Sequence, residues 1–557
     1  MLLEYILDYR SSSLVYERIF LRTLKALELE GKLIRDKFIL KLYVDADEVE
    51  KLEAFATLFS SSLPHSIFLY STEANIVENA SEDSLEISKE SKLPLPFCPK
   101  CLGEVMDSEH SNYYNIFTEC EVCGYGVKGE SKSYKEEFEK AASWIKEGKI
   151  VEINTFYGNY FLGLPSKKPN SVTCDMLVYD LATVEEYAYA KKHEITSLGA
   201  MEKPFIKLKK KKKFLMDFEN IEEDLIRFKL PDDFILHLLT EEVYKLGVKI
   251  LFMTSEAIQS DEKLCLVEPE NRLLPIEVVV SENDIAIVEG EKGLPEFPIT
   301  SETVNPVIGS FYSVIREHHL QDEIVAGINL SKKYKNNIMV YGEKFGTLEY
   351  LSFEFKFNSM REIFDKIVAT NESGEKLVKN YKNRFPEHFE KILNIVFTES
   401  VFNLYKLWGI VAIVLDLTKR EDLYEAAEVL EENSMIFLGE KGPRIDYKLL
   451  QGDDKKVYLD PLMTIRTAMS FRLAGVDPLT LSYGVIESFL EFVANELDEI
   501  QQNMSITAVA VSGSLLENRQ IFSKMSREIS INHPIYFNNQ LPVEGRSMFY
   551  GGEDLSV

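Results

Sequence analysis

Hydrophobic and polar positions repeat with two different periods along this chain, and the switches between them predict where helices and strands fall. Tyr16, Phe20, Leu24 and Leu27 recur at helical spacing and predict a helix over 16–29, whereas KFILKLYVDAD alternates with period two and predicts a strand. YKEEFEKAASWIKEG reads as a helix and KIVEIN after it as a strand. Further on, LSFEFKF has the alternation of a strand. Ser359 and Glu362 then form a capping box for a helix with Met360, Ile363, Phe364, Ile367 and Val368 on one face. WGIVAIVLDL and ITAVAVSG predict buried strands, separated by helices such as 483–500. The pattern is that of a multidomain α/β chain. It divides into a small α+β domain over 1–75, a Ser-, Glu- and Pro-rich linker over 76–96, a cysteine-bearing segment over 97–130, and α/β regions over 135–298 and 305–557.

Composition narrows the class. At 557 residues, 45% hydrophobic and 28% charged, the chain has room for three or four folded domains. Its best apolar run, 408–415, is far short of the ~18 to 20 residues that cross a bilayer. MLLEYILDYR lacks the basic start of a signal peptide, so a cytoplasmic protein without membrane contact is expected. A net charge of −28 repels phosphate backbones and argues against general nucleic-acid binding. Lys207 and the lysine run 209–213 dissent; they read either as a solvated strand edge or as a local anion site.

The candidate chemistry is concentrated in four cysteines. Cys98, Cys101, Cys120 and Cys123 form two C-x-x-C pairs in FCPKCLGEVMDSEHSNYYNIFTECEVCGYG. Each turn aims two sulfurs at one point, and a short hairpin can bring both around a tetrahedral zinc. Four thiolates leave the metal no open position, so the expected role is structural. The adjacent His318 and His319 point about 100° apart on a helix and make no chelating pair by themselves; they read as exposed polar residues or, with Asp322 or Glu323, as a metal pair. Ser–His–acid constellations, Walker loops and dinucleotide G-x-G-x-x-G motifs are not legible.

CLGEVMD after the first pair, Tyr113-Tyr114, and FTECEVCG resemble the zinc-knuckle region of the HypF carbamoyltransferases of [NiFe] hydrogenase maturation. The resemblance implies an acylphosphatase-like domain over 1–75, a zinc knuckle over 97–130, a YrdC-like domain over 135–298, and a two-lobed sugar-kinase/actin-type carbamoyltransferase domain over 305–557. It implies ATP and carbamoyl phosphate as ligands, and other hydrogenase maturation proteins as partners. Lys203, Pro204 and Phe205 match the K-P-F element of the YrdC-like domain, and Thr254 and Ser255 its T-S element; Gly513, Asn518 and Gly552 match nucleotide-side positions of the last domain. Several family motifs are absent. DYRSSSLVYERIFLRTL has no glycine for the acylphosphatase loop, a second knuckle is missing, the arginine-rich stretch before K-P-F is gone, and LTKREDLYEAAEV after Asp416 lacks the glycines of a phosphate loop. Two readings follow: a HypF-like enzyme transferring a carbamoyl group through carbamoyl-adenylate, or a HypF-derived zinc-binding scaffold that acts by protein–protein interaction.

Overall fold

The computed structural model describes residues 2–11, 13–36, 38–80, 97–120, 125–269, 274–291, 294, 299, 304–452 and 457–555. The chain divides into two compact units, Met1–Val278 with Glu289–Glu296, and Val279–Val288 with Phe297–Val557.

The first unit begins with β1 (Leu2–Tyr9), α1 (Val15–Leu27), β2 (Glu30–Asp36), β3 (Ile39–Asp45), α2 (Val49–Ser62) and β4 (Leu69–Val77). The strands pair antiparallel in the order β2-β3-β1-β4, the split βαβ arrangement of a ferredoxin-like fold. Helix α1 buries Tyr16, Phe20 and Leu24, as its spacing predicts, while Leu27 is only half-buried. Phe20, Phe55 and Phe59 meet with ring centroids 5.3 to 5.9 Å apart and tie α1 to α2. Next comes α3 (Pro99–Met106), which carries the first cysteine pair, and α4 (Lys135–Lys146). An eight-stranded mixed sheet follows: β5 (Val151–Asn154), β6 (Asn159–Gly163), β7 (Asp175–Val178), β8 (Ala188–Tyr189), β9 (Ile206–Lys210), β10 (Leu225–Lys229), β11 (Ile250–Thr254) and β12 (Glu262–Leu264). Its spatial order is β12-β5-β6-β11-β7-β10-β9-β8, with connecting helices α5 (Leu181–Tyr187), α6 (Lys192–Gly199), α7 (Lys212–Asp217) and α8 (Phe234–Lys245). β13 (Glu277–Val280) and β14 (Ile285–Glu289) lie where the chain passes between units.

The second unit runs α9 (Pro306–Glu317), β15 (Val325–Asn329), β16 (Asn337–Gly342), β17 (Gly346–Ser352), then helices α10 (Met360–Thr370), α11 (Glu372–Arg384), α12 (Pro386–Ile392), α13 (Leu404–Leu415) and α14 (Leu423–Ile436). After β18 (Leu449–Gln451) and β19 (Val457–Leu459) come α15 (Pro461–Leu473), α16 (Pro478–Met504), β20 (Ala508–Ser512), α17 (Arg519–Ser530), β21 (Ile535–Tyr536) and α18 (Arg546–Gly551). One seven-stranded sheet, ordered β18-β19-β17-β16-β15-β20-β21, organises the unit. Period-two alternation divides its two faces. Ala326, Ile328, Val509 and Val511 face the large core of the helical stack, and Val325, Ala508 and Ala510 face Phe311, Val314 and Ile315. Among the described residues, the stretch between β17 and β20 forms mainly that helical stack.

Three expectations are corrected here. WGIVAIVLDL is not a strand: it belongs to α13, whose apolar residues are buried all round. The Asn403 side chain caps its start by accepting from the Lys406 N–H, and Asp416 ends it with a left-handed φ of 58°. A run buried on every side has no polar stripe to reveal its period, so strand and helix look alike in it. LSFEFKF leaves the sheet at Ser352. Phe353 and Phe357 then enter the helical core through irregular extended backbone, with the Phe353 N–H donating to Asn336 O. In α10, Ser359 caps the helix as predicted, but Glu362 accepts from the Asn358 N–H instead of closing the box, and Val368 faces solvent.

Gly409 permits a close helix contact in this unit. A Cβ there would lie 2.1 Å from Leu423 O at the start of α14. Gly409→Ala must push the two helices apart, and is expected to cost about 1–3 kcal/mol in denaturant unfolding. No described helix is long and apolar enough to cross a membrane.

Candidate functional site

The candidate metal centre forms where α3 begins. Cys98 occupies the helix N-cap with Pro99 at the first helical position; Pro has no N–H to leave unsatisfied there. One turn on, Cys101 receives the Cys98 N–H on its sulfur at 3.2 Å. Cys120 is brought in by the Cys120 N–H to Tyr125 O bond, 2.7 Å, and the Glu119–Gly126 bridge. The Cys98 sulfur lies 3.6 Å from that of Cys120 and 3.7 Å from that of Cys101, and all three residues are buried. A tetrahedral zinc with Zn–S bonds of about 2.3 Å sets its sulfurs about 3.8 Å apart, so the three thiols are spaced to hold such an ion. Cys123, the fourth predicted ligand, lies outside the described residues. Among the described residues no other trio of His, Cys, Asp or Glu gathers at metal-binding distance. His318 instead ends α9, its Nε2 2.6 Å from Phe537 O, and Glu323 accepts from Thr507.

The centre is packed into the first unit by aromatic rings. Phe97 stacks on Phe234 at 4.9 Å, and Tyr125 meets the same ring edge-on at 4.8 Å. His237, 5.2 Å from Phe97, is pushed down to about 4 chiefly by burial, with Lys203 adding and Glu241 opposing, so it stays neutral. Beside the Cys98 turn a cleft of about 310 Å³ opens between α1, α2 and α3.

The predicted ligand residues of the first unit do not converge. In the register of β11, β7, β10 and β9, Phe252, Met176, Phe228 and Ile206 share one row. β9 and β11 run in the same direction. Thr254 therefore lies two residues beyond that row and Lys203 on the turn that precedes β9, three strands away, which parts them by about 14 Å across the sheet at ~4.8 Å per strand. Lys203 is itself largely buried, with its Nζ donating to Gly199 O. Thr254 accepts from the Glu256 N–H at the end of β11, and Ser255 is exposed. The strand positions between them are matched internally. Arg227 pairs with Asp175, Glu277 and Glu289 at 2.6 to 2.9 Å, and Lys229 with Asp232 at 2.5 Å. The lysine run is likewise divided: Lys210 turns inward to the carbonyls of Ile221 and Glu222, Lys213 pairs with Glu186, and Lys207 and Lys212 face solvent.

The β1–α1 loop of the first domain is clamped. Arg35 donates to the carbonyls of Ser11 and Ser13 and pairs with the buried Glu17 at 2.5 Å. The Ser13 and Val15 N–H groups are taken by the Ser11 and Ser13 hydroxyls. Arg10 folds back on Asp8.

In the second unit, sequence reasoning missed the decisive residues. The β15–β16 turn carries Lys332, whose ammonium lies 3.1 Å from Glu431 and 3.0 Å from Glu517. Burial works against the charge on Lys332, but the two facing carboxylates outweigh it and hold the ammonium above its ordinary range. The turn's donors are taken as well: the Lys332 N–H by the Ser514 hydroxyl, and the Lys333 and Tyr334 N–H groups by the Ser331 hydroxyl. Asn403 donates to the carbonyls of Ser331, Lys332 and Tyr334. Gly513 packs directly against this turn, where a Cβ would lie 2.3 Å from Leu330 O, and its φ of 106° requires glycine. Asn518 caps α17 and donates to Ser434; Gly552 ends α18 at a φ of 67°. Asp416 is a helix cap paired with Arg472, Lys419 and His388, not a strand-end acid. Lysines and glutamates are so common in this chain that only their meeting in space singles these out.

No protein-family model matches the sequence. Protein HydE of Wolinella succinogenes is 27% identical over 516 residues, spanning 90% of this chain and 92% of that protein. A full-length HypF crystal structure in a phosphate- and nucleotide-bound form superposes with a TM-score of 0.66, over 99% of this chain and 97% of its own, at 14% identity. The chain has the HypF fold. HypF of T. kodakarensis agrees, with a TM-score of 0.64 at 13% identity and the same coverage. At this level of identity the likeness to HypF is one of architecture, so activity has to be argued from the side chains.

Proposed function

We propose that this chain is a HypF-derived protein of hydrogenase maturation that acts by binding another maturation protein and not by carbamoyl transfer. In this reading zinc, held by Cys98, Cys101, Cys120 and Cys123, is a structural staple, and ATP and carbamoyl phosphate are not turned over. The observation that carries it is the filled turn of the second unit. Glu431 and Glu517 face Lys332, and the turn's N–H groups already have acceptors, so a phosphate brought to this turn, against which Gly513 packs, would meet carboxylates and occupied donors. The separation of Lys203 from Thr254 and the clamped β1–α1 loop support the same reading. The likeness to proteins named HypF supports the place in hydrogenase maturation.

The test is ATP–pyrophosphate exchange by zinc-loaded protein, with and without carbamoyl phosphate, beside an active HypF. No exchange above the blank is expected. Exchange that depends on carbamoyl phosphate overturns the non-catalytic reading in favour of an adenylating enzyme. Loss of mature hydrogenase in a strain lacking the chain tests its place; unchanged hydrogenase removes it.

A further inference from the structure

Glu202 belongs to neither the metal centre nor the predicted ligand positions, yet it is among the most enclosed acids of the first unit. It sits on the turn after α6. Lys203 at a φ of 49° and the Lys203 N–H to Ala200 O bond, 3.1 Å, shape that turn. Its partners come from the segment between α2 and β4 of the N-terminal domain. The fully buried Ser66 hydroxyl donates to one carboxylate oxygen at 2.5 Å, and the Ile67 N–H donates to the other at 3.0 Å. Ser66 is itself positioned by the Phe68 N–H, which donates to its Oγ at 3.1 Å. A backbone bond from the Met201 N–H to His65 O, 2.8 Å, holds the two segments in register. Two donors from one short segment, one on each oxygen, make a receptor for a planar carboxylate. That receptor is built entirely from the N-terminal domain, whereas the carboxylate comes from more than a hundred residues later in the chain.

We infer that the Ser66–Ile67 segment is a carboxylate-binding site of the N-terminal domain, occupied in cis by Glu202. Occupancy from within makes the acid a latch between this domain and the sheet region that follows it. The N-terminal domain offers this site to a carboxylate in trans when Glu202 is absent. The inference is independent of whether the chain is an enzyme.

Chemical rescue tests it on the full chain. Glu202→Ala is expected to melt below wild type, and sodium acetate or formate, against matched chloride, is expected to raise it saturably by roughly 3–6 °C. Wild type, with the site filled, is expected to shift no more in acetate than in chloride. Adding Ser66→Ala to Glu202→Ala removes one donor and is expected to abolish the rescue. Equal shifts in variant and wild type, rescue that survives Ser66→Ala, or rescue by phosphate in place of carboxylate overturns the assignment. If Glu202→Ala is insoluble, refolding yield is read instead: recovery in acetate but not chloride supports the site, and equal yields in both overturn it.

Discussion

Cys101→Ser is expected to take bound zinc from one per chain to none and to release the segment around α3 to protease. The thiol it removes is fully buried, and its sulfur accepts the Cys98 N–H, so both the metal and the turn lose a partner. Structural zinc contributes about 10–16 kcal/mol to isolated finger peptides at neutral pH. Even a third of that matches the largest single core truncations, at about 3–5 kcal/mol. The damage is expected to stay within the first unit. Phe97 and Tyr125 both rest on Phe234 of α8, so the ring cluster opens with the metal. Metal analysis and limited proteolysis check this, and a strong chelator is expected to reproduce it. Cys123→Ser is expected to behave alike, while Cys174→Ser and Cys265→Ser keep the zinc. A Cys101→Ser protein that still holds stoichiometric zinc removes these thiols from the metal's ligand set.

Lys332→Ala is expected to be the most destabilising single change in the second unit short of opening its core. It leaves Glu431 facing Glu517 with their shared cation gone, and breaking a buried pair by removing one partner costs about 3–5 kcal/mol. The wild-type lysine has its pKa raised, so its contribution is fully present below the unfolded lysine value and is lost only at strongly alkaline pH. In the variant the two acids repel across the place the ammonium held. Urea unfolding measures the loss, and a variant as stable as wild type refutes the shared cation as a stabilising contact. Lys332→Ala with Glu431→Gln is expected to recover part of the loss, since only one charge remains.

How much was legible depends on how local each signal is. The Cys98–Cys101 pair could be read because both members sit within one turn, and that spacing alone aims their sulfurs together. The helix of Tyr16 and Phe20 was legible because it has one period and one buried face, and the strand Ala508–Ser512 because its short apolar run, closed by Gly513, has the length of a strand buried on both faces. WGIVAIVLDL was misread because a helix enclosed on every side has no polar face to show its period. LSFEFKF kept its alternation past the end of the strand, since Phe353 and Phe357 follow the helical core and not the sheet.

Sequence by itself determined the gathering of cysteine thiols, the acidic balance and the mixed α/β character, because each follows from residue types at short range. Tertiary structure alone decided what became of the ligand positions. Lys332 meets Glu431 and Glu517 across 99 and 185 residues of chain, and Glu202 reaches Ser66 across 136. Lys203 and Thr254, whose order along the chain suggested a shared site, are parted by strand register. A charge becomes a ligand site or a filled one according to what faces it at about 3 Å, and that neighbour is set by the packing of distant segments.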